Sequence, residues 1–208
     1  YVEAILDGTI PVEMQDRYLN IVLSETERLE KLTKDLLTLN TFDDNGYLME
    51  MSDFDINEVI RKSLETFEGR CNARGIRFSL LFDEPCLPVH ADKEKIQQVL
   101  YNLIDNAIKF SYPNTTIGIR TWIEDGRARF CVGNFGDGIS GADLSNIFNR
   151  FYKTDKSRVN EKSGAGLGLS FVKNIMTLHK QNVWVESVDT KEGSTVKYTK
   201  FTFTLELA

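Results

Sequence analysis

The sequence predicts an α+β fold: a mixed sheet covered on one face by helices, with a separate helical segment before it. Three observations carry this expectation. Residues 13–40 contain neither Gly nor Pro and hold apolar residues at helical spacing. Beyond residue 53, strand-like runs come in groups at 76–82, 115–123, 127–132, 183–188 and 195–207, with only a few amphipathic helical segments among them. Grouped strands with few helices favour a layered α+β arrangement. The chain of 208 residues, 41% hydrophobic and 27% charged, is long enough for one good-sized core and an appendage.

The elements follow in order. Residues 1–7 read as the end of a helix, and Gly8-Thr9-Ile10-Pro11 as a turn. In the helix over 13–40, Val22, Leu29 and Leu36 fall seven apart, as do Leu32 and Leu39, a heptad seam broken by Glu25. Such a stripe needs a partner. It either packs on its own domain or, the preferred reading, forms a hairpin that dimerises into a four-helix bundle. Residues 1–45 are therefore expected to be a helical hairpin. The polar stretch 41–53 reads as a linker with its centre at 46–52, and 53–208 as the main domain. A helix over 56–67 is capped by Asp55 or Asn57. A strand spans 76–82, and Asp92 caps a helix running to 110. A hairpin turns at Glu124-Asp125-Gly126 between 115–123 and 127–132. A helix at 167–178 precedes a final strand pair around Lys191-Glu192-Gly193.

Bulk properties exclude several classes. A net charge of −6 argues against nucleic acid as the main partner. No apolar run reaches membrane-spanning length, and no signal peptide is visible. Cys71, Cys86 and Cys131 lack C-x-x-C spacing and read as three reduced thiols, with no zinc site.

The chemistry concentrates in three places. On the helix 92–110, the residues Ile96, Val99, Leu100, Leu103, Ile104, Ala107 and Ile108 form an apolar arc, bordered by a polar stripe of Asn102, Asn106 and Lys109. Two amides one turn apart beside a core, with a lysine on the same side, suit a metal–phosphate ligand. Two backbone-exposing turns follow. Asn134-Phe135-Gly136-Asp137-Gly138-Ile139 succeeds a strand. Gly164-Ala165-Gly166-Leu167-Gly168-Leu169 opens a helix, whose free N–H groups favour phosphate. Between the turns, Phe148 and Phe151 introduce a segment with five basic residues (Arg150, Lys153, Lys156, Arg158, Lys162) against Asp155 and Glu161. A long loop of this composition suits a cationic lid able to clamp a triphosphate.

In that order and spacing the motifs resemble the ATP-binding catalytic domain of sensor histidine kinases, of the superfamily shared with DNA gyrase, heat-shock chaperone and mismatch-repair ATPases. The asparagine helix resembles the N box, 134–139 the first glycine box, 148–151 the F box, 164–168 the second glycine box, and Gly193-Ser194-Thr195 the final Gly-Thr turn. Residues 1–41 resemble the later part of the family's dimerisation and phosphotransfer hairpin, through Arg17-Tyr18-Leu19, 25–29 and 35–37. The fold implied is the two-layer α/β sandwich of these ATPases.

The resemblance also implies roles. ATP and Mg2+ are the implied ligands. Asn106 would coordinate magnesium, which seeks oxygen donors, and Asn102 would support the same site. Lys109, Arg150, Lys153 and Arg158 would hold phosphate oxygens. Gly164, Gly166 and Gly168 would offer backbone N–H groups, and Ile139, Leu167 and Leu169 would enclose adenine, with Gly136, Gly138 and Phe151 completing the cradle. The hydrolytic relatives carry a glutamate where Asn102 stands. An amide cannot act as a general base, which favours keeping the γ-phosphate for a histidine nucleophile. The family carries Asp where Asn134 stands, so nucleotide affinity is expected to be lower than for an Asp version. Lys153 in place of Arg loses a bidentate fork.

Neither His90 nor His179 lies in the family's phosphoacceptor motif, and both read as surface or capping residues. The chain is therefore expected to begin inside the first bundle helix, binding ATP–Mg2+ without autophosphorylating. Implied partners are a second copy through the hairpin and a response-regulator receiver domain whose Asp takes the phosphoryl group. The implied location is the cytoplasmic part of a membrane-bound bacterial sensor. A hydrolytic ATPase of the same superfamily and a non-catalytic dimerising scaffold are the alternatives.

Overall fold

The computed structural model describes residues 1–43, 49–154, 166–190 and 195–208; the side chains at 27, 28, 30–32 and 34–43 also lie outside the description. The chain divides into two compact units, Tyr1–Tyr47 and Leu48–Ala208.

In the first unit, helices α1 (Val2–Leu6) and α2 (Val12–Asp43) flank the expected turn. Gly8 takes a positive φ of 78°. The Asp7 carboxylate accepts from the Thr9 N–H at 2.9 Å, and Ile10, the one buried residue of the turn, donates its N–H to Ala4 at 2.8 Å. Tyr1 and Tyr18 bring their rings within 5.0 Å. Of the heptad residues, Val22 is half-buried and Leu29 exposed; Leu32, Leu36 and Leu39 lie outside the described side chains.

The second unit is an α+β layer, as expected. Its strands are β1 (Met51–Asp55), β2 (Arg77–Phe82), β3 (Pro88–Asp92), β4 (Thr116–Glu124), β5 (Arg127–Gly136), β6 (Val183–Asp189) and β7 (Lys197–Leu207). The order is β1-β3-β7-β5-β4-β2. β6 joins the edge of β7 that is not taken by β5. Only β2 and β4 are parallel. Helices α3 (Ile56–Glu65), α4 (Glu68–Asn72), α5 (Lys93–Phe110), α6 (Gly141–Leu144) and α7 (Gly168–Leu178) complete it.

The sheet's period of two decides which face is buried. In β5, Ala128, Phe130 and Val132 face the core, paired in register with Leu205, Phe203 and Phe201 of β7. Against β5 packs α5 with Ile96, Val99, Leu100, Leu103, Ile104, Ala107 and Ile108, the predicted arc, while α7 buries Phe171, Val172, Ile175 and Met176 beside α5 and β6. The opposite face carries Trp122, Arg129 and Trp184, with Arg129 5.7 Å from the Trp184 ring. All three cysteines are free thiols.

Several elements differ from expectation. The stretch read as a linker ends in β1, a mostly exposed edge strand with little alternation to mark it. β3 is five residues long and opens on Pro88, too little to announce itself. β5 runs on to Gly136, so the first glycine box begins inside the sheet. Asp55, of the two residues offered, caps α3 by accepting from the Asn57 N–H at 3.0 Å.

Candidate functional site

α5 is held at both ends. Asp92 caps its start, accepting from the Lys95 N–H at 3.1 Å. At its end, Arg74 donates to the carbonyls of Ile108 and, at 2.6 Å, Ser111, which otherwise have no helical partner. Between these ends, Asn102, Asn106 and Lys109 are all half-buried at the border of the arc. Asn102 donates its Nδ2 to the Gln98 carbonyl at 3.0 Å, which leaves Oδ1 outward. That oxygen reaches the second glycine turn: a β-carbon on Gly168 would lie 3.2 Å from it. Asn106 makes no side-chain hydrogen bond among the described residues.

Lys109 is engaged. Its Nζ lies 2.6 Å from Asp105 Oδ2, while Arg70 reaches Oδ1 of the same carboxylate at 2.6 Å. Asp105 is 8% exposed. Burial acts to raise its pKa, but the hydrogen bonds and charges of Lys109 and Arg70 outweigh it and hold the carboxyl below its usual range.

The end of β5 supplies the second wall. Gly136 must be glycine, because a β-carbon there would collide with the Phe110 carbonyl at the end of α5. Asn134, two residues earlier on the same face, is 4% exposed. It stands directly across from Thr199 of β7, which stands across from Ser187 of β6. The two hydroxyls bond at 2.9 Å, and Ser187 Oγ accepts from the Ile139 N–H at 3.0 Å. The core face thus changes from the apolar row Val132–Phe201–Val185 to the polar row Asn134–Thr199–Ser187 just where the glycine turn begins. Gly138 follows with φ 72°, packed on the Lys197 side chain.

The segment that begins at Phe148 meets the second glycine turn through the backbone. The Phe151 N–H donates to the Gly166 carbonyl at 3.1 Å, and Gly166 adopts φ 77° with no room for a side chain beside Tyr152. Phe148 packs edge-on against Phe201 at 6.3 Å, whereas Phe151 is 59% exposed with a positive φ of 63°. Tyr152 donates its hydroxyl to Asp143 at 2.5 Å. The hydroxyls of Ser140 and Tyr152 lower the Asp143 pKa. Arg150 is exposed and Lys153 half-buried. Leu167 is buried and Leu169 half-buried at the start of α7, a helix with no side-chain cap. Arg158 and Gly164 lie outside the described residues, as do Gly193 and Ser194.

The structure therefore joins Asn102 to Gly168, Asn134 to Gly136, and Phe151 to Gly166. It adds residues the sequence reading passed over. Asp105 was detectable as an acid four residues before Lys109. Arg70, Thr199 and Ser187 carry no local signal, since strand register alone brings the last two to Asn134. No group of three or more His, Cys, Asp or Glu among the described residues is placed to hold a metal. His90, on β3, is partly exposed and pairs with Asp53 at 2.6 Å; His179 is buried and ends α7.

Residues 91–208 match the family described as histidine kinase-, DNA gyrase B- and HSP90-like ATPases. The chain belongs to that family. It is 32% identical over 202 residues to the sensor histidine kinase WalK of Bacillus subtilis (strain 168), covering 96% of this chain and 33% of WalK. Full-length ShkA, solved in complex with AMPPNP, superposes with a TM-score of 0.78 at 25% identity, over 93% of this chain and 39% of ShkA. The histidine kinase ThkA, solved in complex with the response regulator TrrA, gives 0.73 at 27% identity, over 97% of this chain and 57% of ThkA. The chain thus spans about a third of its curated relative, and the domain it shares with these kinases is the ATPase-type catalytic domain. No helix among the described residues is long and apolar enough to cross a membrane.

Proposed function

We propose that residues 53–208 are the ATP-binding core of a protein-histidine kinase, and that residues 1–45, joined through 46–52, are part of its dimerising phosphotransfer hairpin. The observation that carries this reading is the approach of the Asn102 carboxamide oxygen to Gly168 at the uncapped start of α7. It puts an oxygen donor beside free backbone N–H groups, a setting for a polyphosphate and its counter-ion.

In this reading ATP lies between α5, the end of β5 and the start of α7. The N–H groups at Gly166 and Gly168 and the lid cations Arg150, Lys153 and Arg158 bind phosphate oxygens. Lys109 does so on leaving Asp105. The adenine lies against Ile139, Leu167 and Leu169, with Asn134 at its polar edge. Asn106, half-buried and without a side-chain partner among the described residues, has a carboxamide oxygen suited to magnesium, with Asn102 in support. No ready-made acidic cluster competes for the ion among the described residues. Magnesium would neutralise charge on the phosphates. With an amide at 102 the chain has no carboxylate there to activate water, so phosphate release is slow and transfer to a histidine is favoured.

Neither histidine of this chain suits the acceptor role: His179 is buried and fully hydrogen-bonded, and His90 is paired with Asp53. The acceptor is a histidine of the bundle, and the phosphoryl group passes on to a response-regulator aspartate. Support comes from the ThkA complex with its regulator. Dimerisation through the hairpin and a cytoplasmic position in a membrane-bound sensor belong to the same proposal.

The test is calorimetric titration of the 208-residue chain with a non-hydrolysable ATP analogue, with and without Mg2+. Binding that depends on Mg2+ and falls about tenfold or more in Asn106→Ala is expected. A folded chain that takes up no nucleotide sinks the proposal. Rapid steady-state phosphate release would replace it with a hydrolytic ATPase.

A further inference from the structure

The polar row at the end of the core face has an unusual chemical character. It is uncharged, and its key member is unpaired. Asn134 is 4% exposed, yet its carboxamide forms no side-chain hydrogen bond among the described residues and is not sealed from solvent. A polar side chain this deep, with its amide atoms still open to solvent, is available to a ligand. Its Nδ2 lies toward the glycine turn, 3.5 Å from where a β-carbon of Gly136 would stand. No neighbour among the described residues pins the amide, so oxygen and NH2 are free to exchange places.

The flanking hydroxyls are equally adaptable. In the Ser187–Thr199 bond either oxygen can be the donor. If Ser187 donates, the Thr199 proton is free to point at a ligand; if Thr199 donates, its oxygen is left to accept. Ser187 meanwhile accepts from the Ile139 N–H in either case. The floor beside Asn134 therefore offers a donor or an acceptor at similar cost. A lone carboxylate offers only acceptors.

We propose that Asn134, backed by Thr199 and Ser187, reads the nucleobase edge without a fixed polarity, so that the site takes 6-oxo purine nucleotides as well as ATP. This rests on the nucleotide reading above and adds its specificity. A 6-amino purine presents a donor at position 6 and an acceptor at N1. A 6-oxo purine presents the reverse. Turning the Asn134 amide over, with the Thr199 hydroxyl following, meets either edge.

Inosine triphosphate is the decisive probe, because it differs from ATP only along that edge. Calorimetric or competition titrations of the 208-residue chain with Mg2+ compare ATP and inosine triphosphate, in the native protein and in Asn134→Asp. The native dissociation constants are expected to lie within about fivefold of each other, and Asn134→Asp to weaken inosine triphosphate relative to ATP by about tenfold or more. A native preference for ATP greater than about thirtyfold, or a ratio unchanged by Asn134→Asp in a folded variant, overturns the proposal while leaving ATP binding intact. If neither nucleotide binds, the nucleotide reading falls and this proposal with it. Should Asn134→Asp fail to fold, the native ratio alone decides.

Discussion

Asp105 ties two cations to the face of the helix that carries the asparagines. Its carboxylate is buried, while Arg70 and Lys109 keep 46% and 30% of their side chains exposed. Removing the charge leaves both cations able to rehydrate, so the loss is smaller than for a fully buried triad. Asp105→Asn is expected to destabilise by about 1–2 kcal/mol in urea unfolding at pH 7. Because the folded-state pKa is lowered, this contribution is complete above the unfolded value of about 3.9 and fades as pH falls through the folded value. The native-minus-variant difference should therefore shrink only at strongly acidic pH. A constant difference across that range would assign the loss to packing instead. At this scale much of the candidate site was legible in sequence. Asn102, Asn106 and Lys109 follow from helical spacing, and the glycine turns from composition. Arg70, thirty-five residues from Asp105, and Thr199, set opposite Asn134 by strand pairing, could not be read because no local pattern encodes either meeting.

Among the elements, the end of α5 and the end of β5 meet in close backbone contact. Gly136 leaves no room for a β-carbon against the Phe110 carbonyl, a backbone atom that cannot rotate away. Gly141, at the start of α6, faces open space and is preceded by the Ser140 cap. Gly136→Ala should cost about 1–3 kcal/mol in thermal or urea unfolding, whereas Gly141→Ala should be neutral or stabilising by up to about 1 kcal/mol. Equal effects at the two positions would refute the close approach. The longer elements were readable because each buries one periodic face: α5, α7 and the β4–β5 hairpin all lie near their expected places. β1 and β3 were not. Each is five residues long; β1 is largely exposed and carries no alternation, and β3 is too short, opening on Pro88, for its buried Val89 and Ala91 to stand out as a period of two. The expected end of β5 at residue 132 fell short because glycine and asparagine mark turns by composition, whereas here Gly133, Asn134 and Gly136 continue the ladder opposite Lys200, Thr199 and Lys197.

Across the whole second unit, one buried histidine joins segments far apart in the chain. His179 ends α7 and donates Nδ1–H to the Ile175 carbonyl at 2.8 Å, while Nε2 accepts the backbone N–H of Asp92 at 3.0 Å. Asp92 is itself the cap of α5 and accepts the Glu50 N–H at 3.1 Å. The contact thus links the end of α7, the start of α5 and the approach to β1. It requires a neutral ring, because a protonated Nε2 cannot accept from Asp92. Burial lowers the His179 pKa, and the Ile175 carbonyl and the Asp92 charge offset this only in part. The unfolded chain therefore takes up the proton first as pH falls. The stabilisation is complete above the unfolded value of about 6.5 and is lost below it, down to the folded pKa, at no more than about 1.4 kcal/mol per pH unit. Unfolding free energy should thus fall as the pH drops below about 6.5 in the native protein and fall less steeply in His179→Gln, which cannot titrate. Parallel curves for the two proteins would place the pH sensitivity elsewhere. If instead they diverge, the loss on acidification is carried by the same contact that fixes the start of the asparagine helix, and nucleotide affinity should decline over that pH window along with stability.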